Sequence, residues 1–270
     1  MSFYDWFFLE KGRTPEGLFS WQHLVSVTVT FILALGLAYF LGKSFVDNKR
    51  KQRLVMIVAG FLILAVQISK IAYLLHESTD TFWNVIIGNA PLYLCDLQIF
   101  IIPLAAITKG RFQKWCLDFV AIWGIMMGFM GTYFAGNIYP VHCVIGFAPI
   151  NSLLNHLISA FASMFVLRAK MAKLEKRDIP FVIGILVFFM TVALVIDYIR
   201  GSNFMFFFDG GGTPFTIFLN MFGGALVPYQ ISIYVLQCGY MGIFYLSYYG
   251  LSRYLYGRKA KLEEKKEEGK

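Results

Sequence analysis

Apolar residues run in long blocks along this chain, separated by short polar segments. Blocks at 22–42, 54–75, 85–108, 115–135, 144–167, 180–199 and 224–250 each approach the roughly 20 residues that carry a helix across hydrocarbon. The pattern predicts an all-α, polytopic membrane protein with seven transmembrane helices. Composition agrees: hydrophobic residues make up 58% and charged residues only 15% of the chain, outside the range of soluble domains.

Charge adds an orientation. Lys43, Lys49, Arg50, Lys51 and Arg53 follow the first block, Lys109, Arg111 and Lys114 the third, Arg168, Lys170, Lys173, Lys176 and Arg177 the fifth, and Arg253, Arg258, Lys259 and Lys261 the seventh. The intervening loops carry Glu77, Asp80, Asn137 and Asp209, with Arg200 their one basic residue. Lys and Arg collect on the cytoplasmic side, so the N-terminus is expected outside and the C-terminus inside. The net charge of +8 is then mostly topology, with attraction to anionic lipid, and nucleic acid is not an expected partner. The chain divides into an extracytoplasmic interfacial segment (1–21), a seven-helix domain (22–252) and a charged cytoplasmic tail (253–270). Asp5, Glu10, Lys11, Arg13 and Glu16 interrupt the first segment, which argues against a cleavable signal. Its MSFYDWFF start reads as an interfacial anchor or as a lid over an external cavity.

Cys95, Cys116, Cys143 and Cys238 are scattered among blocks and give neither a disulfide framework nor a zinc spacing. His142 and Cys143 are a weak metal pair. No metal or cofactor is implied. Function is better sought among polar groups at membrane depth, where a charge costs about 2.5–3.5 kcal/mol on insertion scales. Asp96, in NAPLYLCDLQIF, falls near the middle of the third block; as helix, Cys95 would point about 100° away from it. Gln67 and Lys70, at i and i+3 in the second block, share a face, and Lys70 is a partner for Asp96 or an anion-holding group. In the fifth block Ser152, His156, Ser159 and Ser163 form one stripe beside Asn151 and Asn155. The serines suit helix packing, whereas a mid-membrane imidazole suits general-base chemistry. Blocks three and five run in the same direction, which sets Asp96 and His156 at comparable depth.

Elsewhere the polar signals are local. Asp197 and Arg200, at i and i+3, read as a surface ion pair; Asp118 reads as paired with nearby Lys114. Gln230 and Gln237 share a face of the last block. DGGGTP (209–214) lacks the Lys-Ser/Thr ending of a phosphate-binding loop and reads as turn chemistry. No Lys occurs in the seventh block, which disfavours a retinal Schiff base.

PLYLCDLQIF, NHLISAF, DYIRGSNFMFF, TPFTIFLN, GGALVPYQI and the FSWQHL opening of the first block together resemble the YwaF family of bacterial integral membrane proteins, distantly related to the eukaryotic transmembrane protein 164 acyltransferases. The resemblance implies seven helices, a polar site between spans three and five and, in the eukaryotic branch, Cys/His-dependent acyl transfer on phospholipids. His156 matches the family histidine. The eukaryotic thiol falls about one helical turn earlier, near Pro91, while Cys95 belongs to the bacterial LCD pattern; bacterial relatives often carry His where this chain has Tyr93.

The expectation is therefore a multi-pass enzyme of the cell membrane, the bacterial inner membrane on this resemblance, acting on phospholipid or another acyl lipid by acyl transfer or hydrolysis. Cys95 would be the nucleophile, His156 the base and Asp96 its support, with Lys70, Gln67, Asn155, Ser152 and Asn203 binding substrate. The alternatives are a carrier or receptor for a polar or anionic solute in the same pocket, and an assembly protein whose polar core fixes packing.

Overall fold

The computed structural model describes residues 1–211 and 215–268, with side chains to Leu251. Gly212, Thr213 and Pro214 of the glycine-rich turn, and the side chains of the charged tail expected at 253–270, lie outside the described residues.

The chain is helical throughout the described residues: α1 (Phe3–Phe7), α2 (Trp21–Ser44), α3 (Lys49–Glu77), α4 (Phe82–Gly88), α5 (Gln98–Ile107), α6 (Gly110–Tyr133), α7 (Phe147–Arg168), α8 (Ile179–Arg200), α9 (Phe215–Met221) and α10 (Leu226–Glu268). Local chemistry sets several boundaries. Ser20, Asn48 and Thr81 accept first-turn amides of α2, α3 and α4, the usual work of an N-cap. Gly201, at φ 67°, ends α8 in the left-handed conformation glycine adopts freely.

Among the described residues five helices are long and apolar enough to cross a membrane: α2, α3, α6, α7 and the stretch Lys176–Arg200 that contains α8. Their large exposed side chains fall on outward stripes, such as Val25, Val29, Ile32 and Leu33 on α2 and Phe181, Phe188 and Val195 on α8. An apolar surface of that extent requires lipid, not water.

The third expected span is not one helix. It is divided into α4, an irregular stretch at 89–97, and α5. Pro91 is the physical reason: it has no N–H to donate and pushes Ala90 out of helical conformation. Backbone outside helix at membrane depth is tolerated only inside protein or against a cavity, so the break marks a place of interest.

α6 and α7 form the tightest pair because α6 presents glycines to it. A Cβ at Gly124 would lie 2.4 Å from the Ser159 carbonyl oxygen, and one at Gly128 2.6 Å from Ala160 Cβ. Small residues at such spacing allow membrane helices to approach backbone to backbone. α7 also packs on α2 and α3, and α5 lies between α3 and α6.

The two ends differ. At one, residues 1–20 strap over α3 and α7: Phe8 stacks on Phe147 (5.0 Å), and Tyr73 Oη donates to the Phe8 carbonyl (3.1 Å). Glu10 accepts from the Cys143 amide (2.6 Å) and Glu16 from the Val144 amide (2.8 Å), while Arg13 donates to the Ile145 carbonyl (2.7 Å). At the opposite, basic end, Asp118 accepts the Lys173 and Leu174 amides (3.0 and 3.1 Å). Lys114 pairs instead with Glu175 (2.9 Å) and Asp178, so the expected Asp118–Lys114 pairing gives way to a carboxylate that caps a loop.

Asp197 and Arg200 are likewise not a surface pair. Asp197 is buried and accepts from Ser202 Oγ (2.7 Å) and the Phe204 amide (2.8 Å), whereas Arg200 donates to Asn84 Oδ1 (2.6 Å). The reason is that α8 stops at Gly201 and the chain folds back over its last turn.

Candidate functional site

The break between α4 and α5 carries the acid and the thiol. The amides of Asp96 and Leu97 both reach the Tyr93 carbonyl (2.9 and 3.2 Å), a tight turn that places Asp96 just ahead of α5, whose positive end favours an acid. In this turn Cys95 Sγ lies 3.9 Å from Asp96 Oδ1.

α7 supplies the opposing groups. Asn155 Nδ2 donates to Asp96 Oδ1 at 2.7 Å, a hydrogen bond buried from solvent. One turn earlier, Asn151 Nδ2 reaches the Val66 carbonyl and Ser69 Oγ of α3, both at 2.9 Å, which fixes α7 against α3. His156, 5% exposed, turns toward α6: a Cβ at Gly131 would lie 2.1–2.5 Å from its ring atoms. Gly131 therefore makes the space that the imidazole occupies.

Lys70 reaches this cluster from α3. It follows Ser69, the α3 residue that meets Asn151, and it makes no ion pair within 4.0 Å among the described residues. Counting from the strap end of α7, the cluster lies about eight residues in, or roughly 12 Å at helical rise.

The other predicted residues are distributed unequally. Gln67 Nε2 donates to the Asn89 carbonyl (3.1 Å), tying α3 to the start of the break. Ser152 is half-buried on α7. Asn203 belongs to the loop after α8: its Nδ2 donates to the Asp209 carbonyl (2.8 Å) and its Oδ1 accepts the Phe208 and Asp209 amides (2.9 and 3.2 Å). Its amide thus serves loop geometry. That loop does touch the break, because Phe204 and Phe206 pack against Tyr93 at ring separations of 5.3 and 5.8 Å. Met205 and Phe206 hold positive φ (52° and 64°), a strained conformation that its anchors at Asp197 and Asn203 maintain.

No hydrogen bond joins His156 to Cys95 or to Asp96 among the described residues. The direct neighbours of Asp96 are Asn155 and Cys95. Around them several buried polar atoms have no partner within the protein: both amide atoms of Gln98, Asn155 Oδ1 and His156 Nδ1. Each such atom costs about 1–3 kcal/mol when left unsatisfied, so this region carries hydrogen-bonding capacity that the fold does not use.

Sequence reasoning missed Gly131, and it noted Asn151 beside the α7 stripe without giving it a role. The glycine spacing in WGIMMGFMG (123–131) and the Asn-Ala-Pro at 89–91 were the available signals. His142 meets Glu10 (3.2 Å), and among the described residues no three His, Cys, Asp or Glu side chains are grouped to hold a metal ion.

Comparison with curated proteins and with solved structures returned no match. The family model described as the TMEM164 family matches residues 18–248, a range that contains the five long apolar helices and every residue of the cluster. Helices and family match together make this a multi-pass membrane protein. With most of its length covered, the chain belongs to the TMEM164 family.

Proposed function

We propose that this chain is a membrane enzyme acting on acyl lipids, by acyl transfer or hydrolysis, at the cluster of Lys70, Cys95, Asp96, Asn155 and His156. The observation that carries the reading is the Cys95–Asp96–Asn155 contact chain set in broken helix beside unpartnered polar atoms of His156 and Gln98. In the proposed reaction the Cys95 S–H proton passes to the His156 imidazole once substrate binding brings within reach two groups that share no hydrogen bond in the free chain. The thiolate attacks the ester carbonyl carbon, forming C–S as the carbonyl electrons move to oxygen. Lys70 and the Asn155 amide offset that negative charge. Collapse expels the lysolipid oxygen, which takes the proton from His156; an acceptor hydroxyl or water then attacks the thioester carbon, C–O forms as C–S breaks, and the acceptor's proton passes through His156 to the Cys95 sulfur. Asp96 positions the thiol and the amide rather than the imidazole.

In this reading the chain crosses the membrane seven times, with α4 through α5 and the first part of α10 supplying the remaining two crossings. The strap end faces out and the basic end faces the cytoplasm, and the LCD pattern at 94–96 groups the chain with the bacterial YwaF-like branch.

A carrier or receptor is the second reading, and the discontinuous α4–α5 favours it, since broken helices bind polar solutes in transporters. The test is purified protein in vesicles with a donor phospholipid, with lipid products followed for the native chain, Cys95→Ser and His156→Ala. Turnover lost in both variants supports the enzyme. Turnover equal in all three overturns the mechanism, and saturable solute uptake without turnover supports the carrier.

A further inference from the structure

A second polar feature lies at the basic end, away from the α4–α5 break. There α3, α5 and the start of α6 enclose a cavity of about 330 Å³. Its mouth is lined by Lys49, Arg53 and Lys109, and no acidic side chain lines it. Two cations of the neighbouring loop are neutralised, Lys114 by Glu175 and Asp178 and Arg177 by Glu175. Lys49, Arg53 and Lys109 form no ion pair among the described residues. Arg53 Nε donates to the Ala106 carbonyl (3.2 Å) at the end of α5, which orients the guanidinium and leaves its other N–H groups unused. Lys49 Nζ reaches Gln52 Oε1 (3.2 Å). Three cations converging on a concavity without a counter-charge is a costly arrangement that an anion relieves.

The remaining walls indicate what bears the anion. Met56, Leu117 and Met171 line the interior, and immediately beside the cationic mouth Leu54 and Ile107 are 58% and 60% exposed on the lipid-facing surface. A soluble phosphate uses none of this apolar surface; a lipid uses both parts. Basic pockets between membrane helices near the interface are suited to anionic headgroups. We propose that this cavity holds the phosphate of an anionic phospholipid, with Lys49, Arg53 and Lys109 as its ligands and the adjacent apolar surface receiving the start of the acyl chains. The site is independent of the reaction proposed above.

The experiment is native mass spectrometry of the full chain in detergent, titrated with phosphatidylglycerol, phosphatidylcholine or glycerol 3-phosphate. The native protein is expected to retain one phosphatidylglycerol in preference to phosphatidylcholine. Lys49→Glu/Lys109→Glu, at two exposed positions, is expected to weaken that binding by about 30-fold or more, given the contribution of each basic residue near an anionic headgroup. Lys43→Glu/Arg50→Glu makes the same change in net charge outside the cavity and is expected to leave the retained lipid in place. Equal weakening by the two pairs overturns the proposal, as does equal retention of phosphatidylcholine. Glycerol 3-phosphate binding as tightly as the lipid overturns the lipid assignment. Melting temperatures of both pairs, measured in parallel, separate loss of the site from loss of the fold.

Discussion

Asn155 donates its amide to Asp96 at 2.7 Å, across the gap between α7 and the break that precedes α5. This bond joins an acid in irregular backbone to a continuous helix, and it accounts for how an acid so costly at this depth is retained. Asn155→Leu should strand the carboxylate and lower stability by about 1–3 kcal/mol. Asp96→Asn/Asn155→Leu should recover part of that loss, because the stranded charge is gone. Thermal unfolding in detergent measures both; a double variant no more stable than Asn155→Leu alone would show that the bond does not compensate the acid.

Gly131 is expected to behave as part of the site although it carries no chemistry. An added methyl there meets the His156 ring at 2.1–2.5 Å. Gly131→Ala should therefore displace the imidazole and reduce lipid turnover to the level of His156→Ala, with an overpacking cost of about 1–3 kcal/mol. Gly36→Ala, where nothing lies within 4 Å, should leave both turnover and melting temperature unchanged.

The strap has a pH signature. The hydrogen bond from Tyr4 Oη to the Glu77 carboxylate favours the protonated phenol and pushes the Tyr4 pKa from 10.0 up to about 12. The sign follows: with Glu77 ionised, the Tyr4 contribution is complete below pH 10 and is lost as pH rises through about 12. In an ultraviolet titration, the difference between the native chain and Tyr4→Phe should titrate near the upper value, and Glu77→Gln should bring that step back toward 10. A Tyr4 step near 10 in the native chain would mean that the clasp does not form in solution.

Asp197 and Arg200 should differ sharply when replaced. Asp197 is buried and holds Ser202 and the Phe204 amide, so Asp197→Ala should cost about 1–3 kcal/mol and speed hydrogen exchange at Phe204. Arg200→Ala removes one exposed bond to Asn84 and should change stability by less than about 1 kcal/mol. Similar losses in the two variants would restore the simple ion-pair reading.

The membrane setting and the helical class were legible because they depend on summed composition: a block of about 20 apolar residues can satisfy its backbone in lipid only as helix or closed barrel. The polar residues of the candidate site were also legible, since Lys70, Asp96, Asn155 and His156 stand out in apolar surroundings wherever they face. Their pairing was not. Helical periodicity set Cys95 and Asp96 on different faces of one continuous helix, whereas the chain breaks at 89–97 and one carboxylate oxygen meets both the thiol and Asn155. Asp118 and Asp197 misled for a related reason: sequence spacing offered each a neighbouring cation, while the fold gave Asp118 two backbone amides and Asp197 one backbone amide and a serine hydroxyl. Gly131 is the clearest case of what only tertiary structure decides. By itself a glycine in a helix signifies little; its place opposite His156 follows from the register between α6 and α7, which is set by close packing along the whole interface and not by any local stretch of chain.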